Sequence, residues 1–286
     1  MKNIYVVSDV HGFYNELTDC LDKSGYDEND ENSLLVDCGD FFDRGEFAVE
    51  IYKYYKRLTN ENKAIVLRGN HTSMLIDFLE GKDSSFNFEY NGLDKTIDSF
   101  LGDTDSFSTF MMYVDTLKEA AQLIYGKRVL PILDDNDYSI PSEIYYSIFE
   151  EYARERINED YPELLGWLKE RPYYYETKNY IFTHASIDGT CEDWHNPVYT
   201  KYDFWSPWEW LTWDNGSFYG SEIKNTDKTI VVGHYHTDGI REKFNIKVTG
   251  TNEILITEDG KKIFIDTCTP ISRRVNVLTI TNEELL

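Results

Sequence analysis

Asn3-Ile4-Tyr5-Val6-Val7-Ser8-Asp9-Val10-His11-Gly12 is a short apolar run, rich in β-branched residues, that ends in a carboxylate, an imidazole and a glycine. The same device recurs twice. Ser33–Cys38 runs into Gly39-Asp40-Phe41-Phe42-Asp43-Arg44-Gly45, and Lys63–Leu67 runs into Arg68-Gly69-Asn70-His71. Between these strand-like runs lie two stretches with helical spacing: Tyr14–Lys23, where Leu17 and Leu21 stand one turn apart, and Phe47–Leu58. Such alternation predicts βαβ units with right-handed crossovers and a largely parallel sheet. The three polar clusters then fall at C-terminal strand ends, the edge where such sheets collect ligands.

Farther along, Thr183-His184-Ala185 ends the strand-like Asn179–Thr183, and Gly233-His234-Tyr235-His236 follows Thr229–Val232. Lys261–Asp266 and Val275–Ile280 read as further strands, with a hairpin expected over Ile246–Thr257. Thr72–Leu79, Ser108–Leu123 and Ser142–Lys169 have helical patterns. The chain is therefore expected to be a single domain over residues 1–286, with a helical insertion at about 73–178 walling a cleft and a Trp-rich loop at about 190–225. The stretch from Cys191 to Phe218 holds five of the six tryptophans and either lines that cleft or forms a satellite core.

A hydrophobic content of 41% in 286 residues supports one large α/β core. No apolar stretch approaches the ~18–20 residues of a membrane span. The N-terminal run is also too short for a signal peptide, so the chain reads as soluble and cytoplasmic, with no membrane partner. The net charge of −24 repels phosphate backbones and argues against a nucleic-acid polymer as partner. Cys20, Cys38, Cys191 and Cys268 show no paired spacing and read as reduced, with Cys38 and Cys268 as small buried side chains. His195, Arg273, Arg274 and the acidic runs Asp27–Glu31 and Asp134–Asp137 read as loop or solvated positions. The oligomeric state is left open.

Imidazoles and carboxylates at successive strand ends suit hard or borderline divalent cations. Two such ions ~3.5–4 Å apart need a bridging oxygen ligand, and Asp40, on the tight turn after a strand, is the natural bridge.

In order and spacing these clusters resemble the motifs of the calcineurin-like metallophosphoesterases, and within them the phosphoprotein phosphatase branch with its bacterial and phage relatives. The family's GDxHG, GDxxDRG, GNHE, HA and GHxH appear as Ser8-Asp9-Val10-His11-Gly12, Gly39-Asp40 to Arg44-Gly45, Gly69-Asn70-His71-Thr72, His184-Ala185 and Gly233-His234-Tyr235-His236. The resemblance implies a four-layer α/β sandwich, two β-sheets face to face with helices outside. It also implies two divalent metal ions, with Asp9 and His11 on the first, Asp40 between both, Asn70, His184 and His234 on the second, and His236 completing the first. Manganese is the metal it favours, and iron or zinc suits the same mixed ligands.

By the same resemblance a metal-bridging hydroxide is the nucleophile and His71 the general acid for the leaving oxygen. Asp43 orients His71, while Arg44 and Arg68 are catalytic clamps that bind the substrate's phosphoryl oxygens. Thr72 departs from the family's glutamate, and Cys268 stands where glycine is usual after Asp266-Thr267. Asp266 itself either bonds a ligand histidine or is satisfied by backbone amides. The activity so implied is hydrolysis of phosphomonoesters, with phosphoserine or phosphothreonine in proteins as the leading substrate. The alternatives are a hydrolase of dinucleoside polyphosphates or small nucleotides, and a catalytically weak phosphate-binding or regulatory protein. The presence of His71, Asp43, Arg44 and Arg68 argues against the last.

Overall fold

The computed structural model describes residues 3–82, 85–103, 105–113, 142–201, 205–214 and 216–281. Strand β1 (Asn3–Val7) sends its side chains alternately into two cores, Ile4 and Val6 into one, Tyr5 and Val7 into the other. That period of two makes β1 the centre of a sheet buried on both faces. β2 (Ser33–Asp37) lies parallel to it with Val36 opposite Val6, and β3 (Ala64–Val66) continues in parallel with Ile65 opposite Val36.

A second sheet is ordered β4 (Tyr174–Glu176), β5 (Tyr180–Thr183), β6 (Thr229–Val232), β8 (Lys262–Phe264) and β7 (Leu255–Ile256). Its three central strands are parallel and its two edges antiparallel. The last strand, β9 (Leu278–Ile280), returns to the first sheet antiparallel to β1. Both sheets are thus mixed. Ile4, Val6, Val36, Phe182, Val231, Ile263 and Ile280 interdigitate between them, and each such side chain contributes about 1.5–3 kcal/mol when fully buried.

Helices α1 (Tyr14–Ser24), α2 (Ala48–Asn60) and α3 (Asn70–Leu79) cover the outer face of the first sheet. Ile51, Tyr55 and Leu58 form the buried stripe of α2 at i, i+4 and i+7. Farther out lie α4 (Ser85–Tyr90), α5 (Leu93–Leu101), α6 (Ser106–Tyr113), α7 (Ser142–Asp160) and α8 (Leu164–Lys169). Leu93, Ile97 and Phe100 of α5 and Phe149, Ala153 and Ile157 of α7 carry the same core outward. The second sheet has a thinner cover: α9 (Pro207–Leu211), α10 (Thr237–Lys243) and the aromatic segment around Trp194 and Phe218. A short α11 (Thr269–Ser272) precedes β9. No helix among the described residues is long and apolar enough to cross a membrane.

Several expectations shift. The helical pattern of Ser142–Lys169 is two helices, because Pro162 lacks an N–H and crowds the turn before it. Helices α4 and α5 arise between Leu79 and Ser108, a part of the insertion for which no helical pattern was assigned. The hairpin falls later than Ile246–Thr257: β7 pairs with β8 across Asp259-Gly260, while Thr249, Gly250 and Asn252 donate backbone N–H groups to the Asp238 carboxylate. Residues 114–123 of the expected helix Ser108–Leu123, and the acidic run Asp134–Asp137, lie outside the described residues. All four cysteines are free, with Cys38 and Cys268 buried.

Candidate active site

Asp9, His11, Asp40, Asp43, Arg44 and His234 all hold φ between 49° and 73°, where the Cβ of an ordinary residue crowds the next carbonyl. Each such residue costs on the order of 1–3 kcal/mol, and such strain concentrates at functional sites. The loops are held there by mutual backbone bonds: Asp9 N–H to Gly39 (2.9 Å), His11 N–H to Asp40 (3.0 Å), and Gly45 N–H to His11 (2.8 Å). The packing is close enough to demand glycine at two points. A Cβ on Gly69 would meet Asp40 Oδ1 at 2.1 Å, and one on Gly233 would meet Ser8 Oγ at 1.8 Å.

The imidazole tautomers follow from their partners. His11 Nδ1–H donates to the Phe42 carbonyl at 2.9 Å and His184 Nδ1–H to the Cys38 carbonyl at 2.9 Å, so both rings aim Nε2 into the site. Around His184 Nε2 stand Asn70 Oδ1 at 2.9 Å, Asp40 Oδ2 at 3.1 Å and His234 Nδ1 at 3.1 Å. One ring nitrogen cannot satisfy three lone-pair donors. Ligands about 2.1 Å from one ion and at right angles would stand about 3 Å apart, which fits this spacing. His11, Asp40 and His71 likewise bring ligand atoms within 4.8 Å of one another, as do Asp40, His184 and His234.

Asp40 and Asp9 each have one carboxylate oxygen engaged by backbone. Asp40 Oδ1 accepts His71 N–H at 3.0 Å, from the first turn of α3. Asp9 Oδ2 accepts His234 N–H at 2.8 Å and the Ser8 hydroxyl at 2.5 Å, leaving Oδ1 3.9 Å from His11 Nε2. Thr72 caps the same turn of α3, its hydroxyl accepting Gly69 N–H at 3.4 Å.

His71 Nδ1–H donates to Asp43 Oδ2 at 2.6 Å, and the other Asp43 oxygen accepts the Thr96 hydroxyl at 2.7 Å. The exposed Arg44 reaches over both rings, Nη1 3.1 Å from His11 Nε2 and Nη2 3.3 Å from His71 Nε2. Arg68, half-buried, donates to Tyr173 Oη at 2.9 Å and lies over that ring, which stacks on Trp208. His236 stands at the rim, 45% exposed, with Nε2 3.8 Å from Asp266 Oδ2. That is beyond a hydrogen bond, whereas Asp266 Oδ1 accepts Cys268 N–H at 2.7 Å. The tryptophans divide: Trp194 and Trp208 join the outer core of the second sheet, while Trp205 stacks on Trp213, both half-buried.

Buried negative charge dominates the electrostatics. Burial and the nearby Asp266 raise Asp9 to about 7, and burial raises Asp266 to about 6. Burial opposes ionisation of Asp40 as well, yet His184 and His71 outweigh it and hold Asp40 well below the carboxylate range. Burial likewise opposes a charged His184, but Asp40 and Asp9 win and raise it to about 9. His71 is raised against its burial by Asp40 and Asp43. Burial, with neighbouring positive charge, lowers His11 well below its usual value and His234 to about 3, which leaves both neutral. Neutral imidazoles beside crowded carboxylates form the donor set a divalent cation requires.

Sequence reasoning missed Ser8, Thr96 and Tyr173. Ser8 opens the first motif but was given no role there, while Thr96 and Tyr173 carried no signal, because their partners are 53 and 105 residues away.

A family model described as calcineurin-like phosphoesterase matches residues 2–257. An asymmetrical bis(5′-nucleosyl)-tetraphosphatase of Halalkalibacterium halodurans is 30% identical over 83 residues, 27% of this chain and 34% of that protein. A symmetrical bis(5′-nucleosyl)-tetraphosphatase of Buchnera aphidicola is 34% identical over 103 residues, 36% of this chain and 34% of that protein. The matched part spans about a third of the length of these relatives. Among solved structures, a cold-active protein-tyrosine phosphatase of a psychrophilic Shewanella shares the fold, with a TM-score of 0.51 at 16% identity over 99% of this chain and 76% of that one.

Proposed function

The chain belongs to the calcineurin-like phosphoesterases, and from that premise we propose a divalent-metal-dependent phosphohydrolase in which His71 protonates the leaving group. The observation that carries this reading is the buried His71–Asp43 contact at 2.6 Å. It fixes the hydrogen on Nδ1 and leaves Nε2 to face a departing oxygen, with its pKa raised so that the acid form persists.

Asp9 and His11 would hold one ion, Asn70, His184 and His234 the other, and Asp40 both. His236 would complete the first set from the rim. When bound, such ions supply an activated water near neutral pH and neutralise phosphoryl charge. With a cation on His11, the Arg44 guanidinium would give up its place beside Nε2, and the fork of this exposed side chain would be free to meet two phosphoryl oxygens. Arg68, braced by Tyr173, supplies the second fork. Manganese is the metal proposed for assay.

Two substrate classes have specific support. Dinucleoside polyphosphates come first, because two relatives that match about a third of this chain are named as tetraphosphatases. Phosphoserine or phosphothreonine comes second, because a poised acid helps an alkoxide more than it helps phosphate. The test is manganese-dependent turnover of diadenosine tetraphosphate, a phosphoserine peptide and p-nitrophenyl phosphate by wild type and His71→Asn. Preference for the dinucleotide supports the first class, and preference for the peptide supports the second. No metal-dependent turnover of any of the three sinks the reading.

A further inference from the structure

We propose that Thr96 is a positioning residue for the His71–Asp43 pair, delivered by the helical insertion; this rests on His71 being the acid. Residues 92, 96 and 99 lie along one side of α5 at i, i+4 and i+7, and that side grips the chain between Asp43 and Val49. Arg44 N–H donates to the Gly92 carbonyl at 3.0 Å. The Thr96 hydroxyl donates to Asp43 Oδ1 at 2.7 Å and accepts the N–H of Asp43 at 2.8 Å. Val49 N–H donates to Ser99 Oγ at 3.1 Å. The approach is close: a Cβ on Gly92 would lie 2.6 Å from the Arg44 nitrogen.

Thr96 and Asp43 are both 0% exposed, so water does not substitute for either bond. Asp43 has two oxygens and two partners, His71 through Oδ2 and Thr96 through Oδ1. The carboxylate plane is set by Thr96, and that plane decides where His71 Nε2 points. The second bond, from the Asp43 N–H, secures a backbone held at φ 73°. Thr96 touches no reacting atom and acts through Asp43. The insertion is therefore part of the acid's support.

The experiment measures kcat of the manganese-loaded full chain on a phosphoserine peptide and on p-nitrophenyl phosphate, for Thr96→Val, Thr96→Ser, Ser99→Ala and His71→Asn. Thr96→Val is expected to lose on the order of tenfold on the alkyl phosphate, with little change on the aryl one. Thr96→Ser keeps the hydroxyl and restores the ratio. Ser99→Ala removes a bond from the same helix without touching Asp43, so it lowers Tm and leaves the ratio unchanged. Equal losses on both substrates in Thr96→Val, or the same ratio shift in Ser99→Ala, overturn the proposal. If His71→Asn shifts the ratio and Thr96→Val does not, the role of Thr96 alone falls. If His71→Asn shows no shift, the acid assignment falls and takes Thr96 with it. Thr96→Ala, which adds no bulk, gives the same readout should the valine variant not fold.

Discussion

The two sheets contribute unlike halves to one site. Loops of the first sheet carry Asp9, His11, Asp40, Asp43, Arg44, Asn70 and His71 within the first 71 residues, and they are tied to one another by backbone bonds. Loops of the second sheet bring His184, His234 and His236 from far along the chain, and they reach the first half through a few longer-range contacts. His184 Nδ1 donates to Cys38, and the N–H of His234 donates to Asp9. On the proposed reading, the first half is a frame that holds the acid and the phosphate fork, and the second supplies donors that complete the metal-binding set. Variants of the first half should therefore damage chemistry, and variants of the second should damage metal affinity.

The strongest test is Asp40→Asn, since Asp40 faces both halves. Turnover should fall to background and stay there at any manganese concentration; recovery by excess metal would deny Asp40 a bridging place. His71→Asn should lower kcat on an alkyl phosphate by about 10²–10⁴-fold, again without rescue by metal, and rescue would blur the contrast between the halves. His234→Ala should weaken metal binding by roughly 10–100-fold while kcat at saturating manganese stays near wild type. A kcat loss that metal does not repair would place His234 in the chemistry.

A smaller effect follows from protons. With His184 raised to about 9 and Asp9 to about 7, both hold protons at pH 6 that a cation must displace. Metal affinity should rise from pH 6 to 9, with proton release detectable by calorimetry in buffers of differing ionisation enthalpy. A flat profile would mean that neither group is a ligand. The smallest effect probes the layer joining the halves. Ile263→Val, between the sheets, should lower stability by about 0.5–1.5 kcal/mol in one cooperative transition and leave kcat unchanged. Two separate transitions would show that the sheets unfold as independent units.

The strand-end motifs were legible because each is local. An apolar run sets a strand, the residues after it must turn, and the ligands ride on that turn, as Val7 to His11 and Val36 to Asp40 do. The insertion was legible as helical in part, with α7 read through Pro162 and α4 and α5 unseen, because α5 is stabilised by burying Leu93, Ile97 and Phe100 against α2 and α7, and α4 packs on α5. The place of Asp266 was open in sequence, and only the fold gives it the Cys268 amide.

By itself, then, the sequence determined which side chains are candidates and which strand ends present them, since both depend on residue identity and short-range backbone chemistry. The tertiary structure decided how those ends meet. It stacked two mixed sheets through Ile4, Val231 and Ile263, set His184 beside Asp40, and laid Thr96 against Asp43. The last two contacts join residues 144 and 53 positions apart. They form because burying apolar surface between the layers outweighs the chain entropy of closing such loops, a balance struck by the whole fold and written in no single motif.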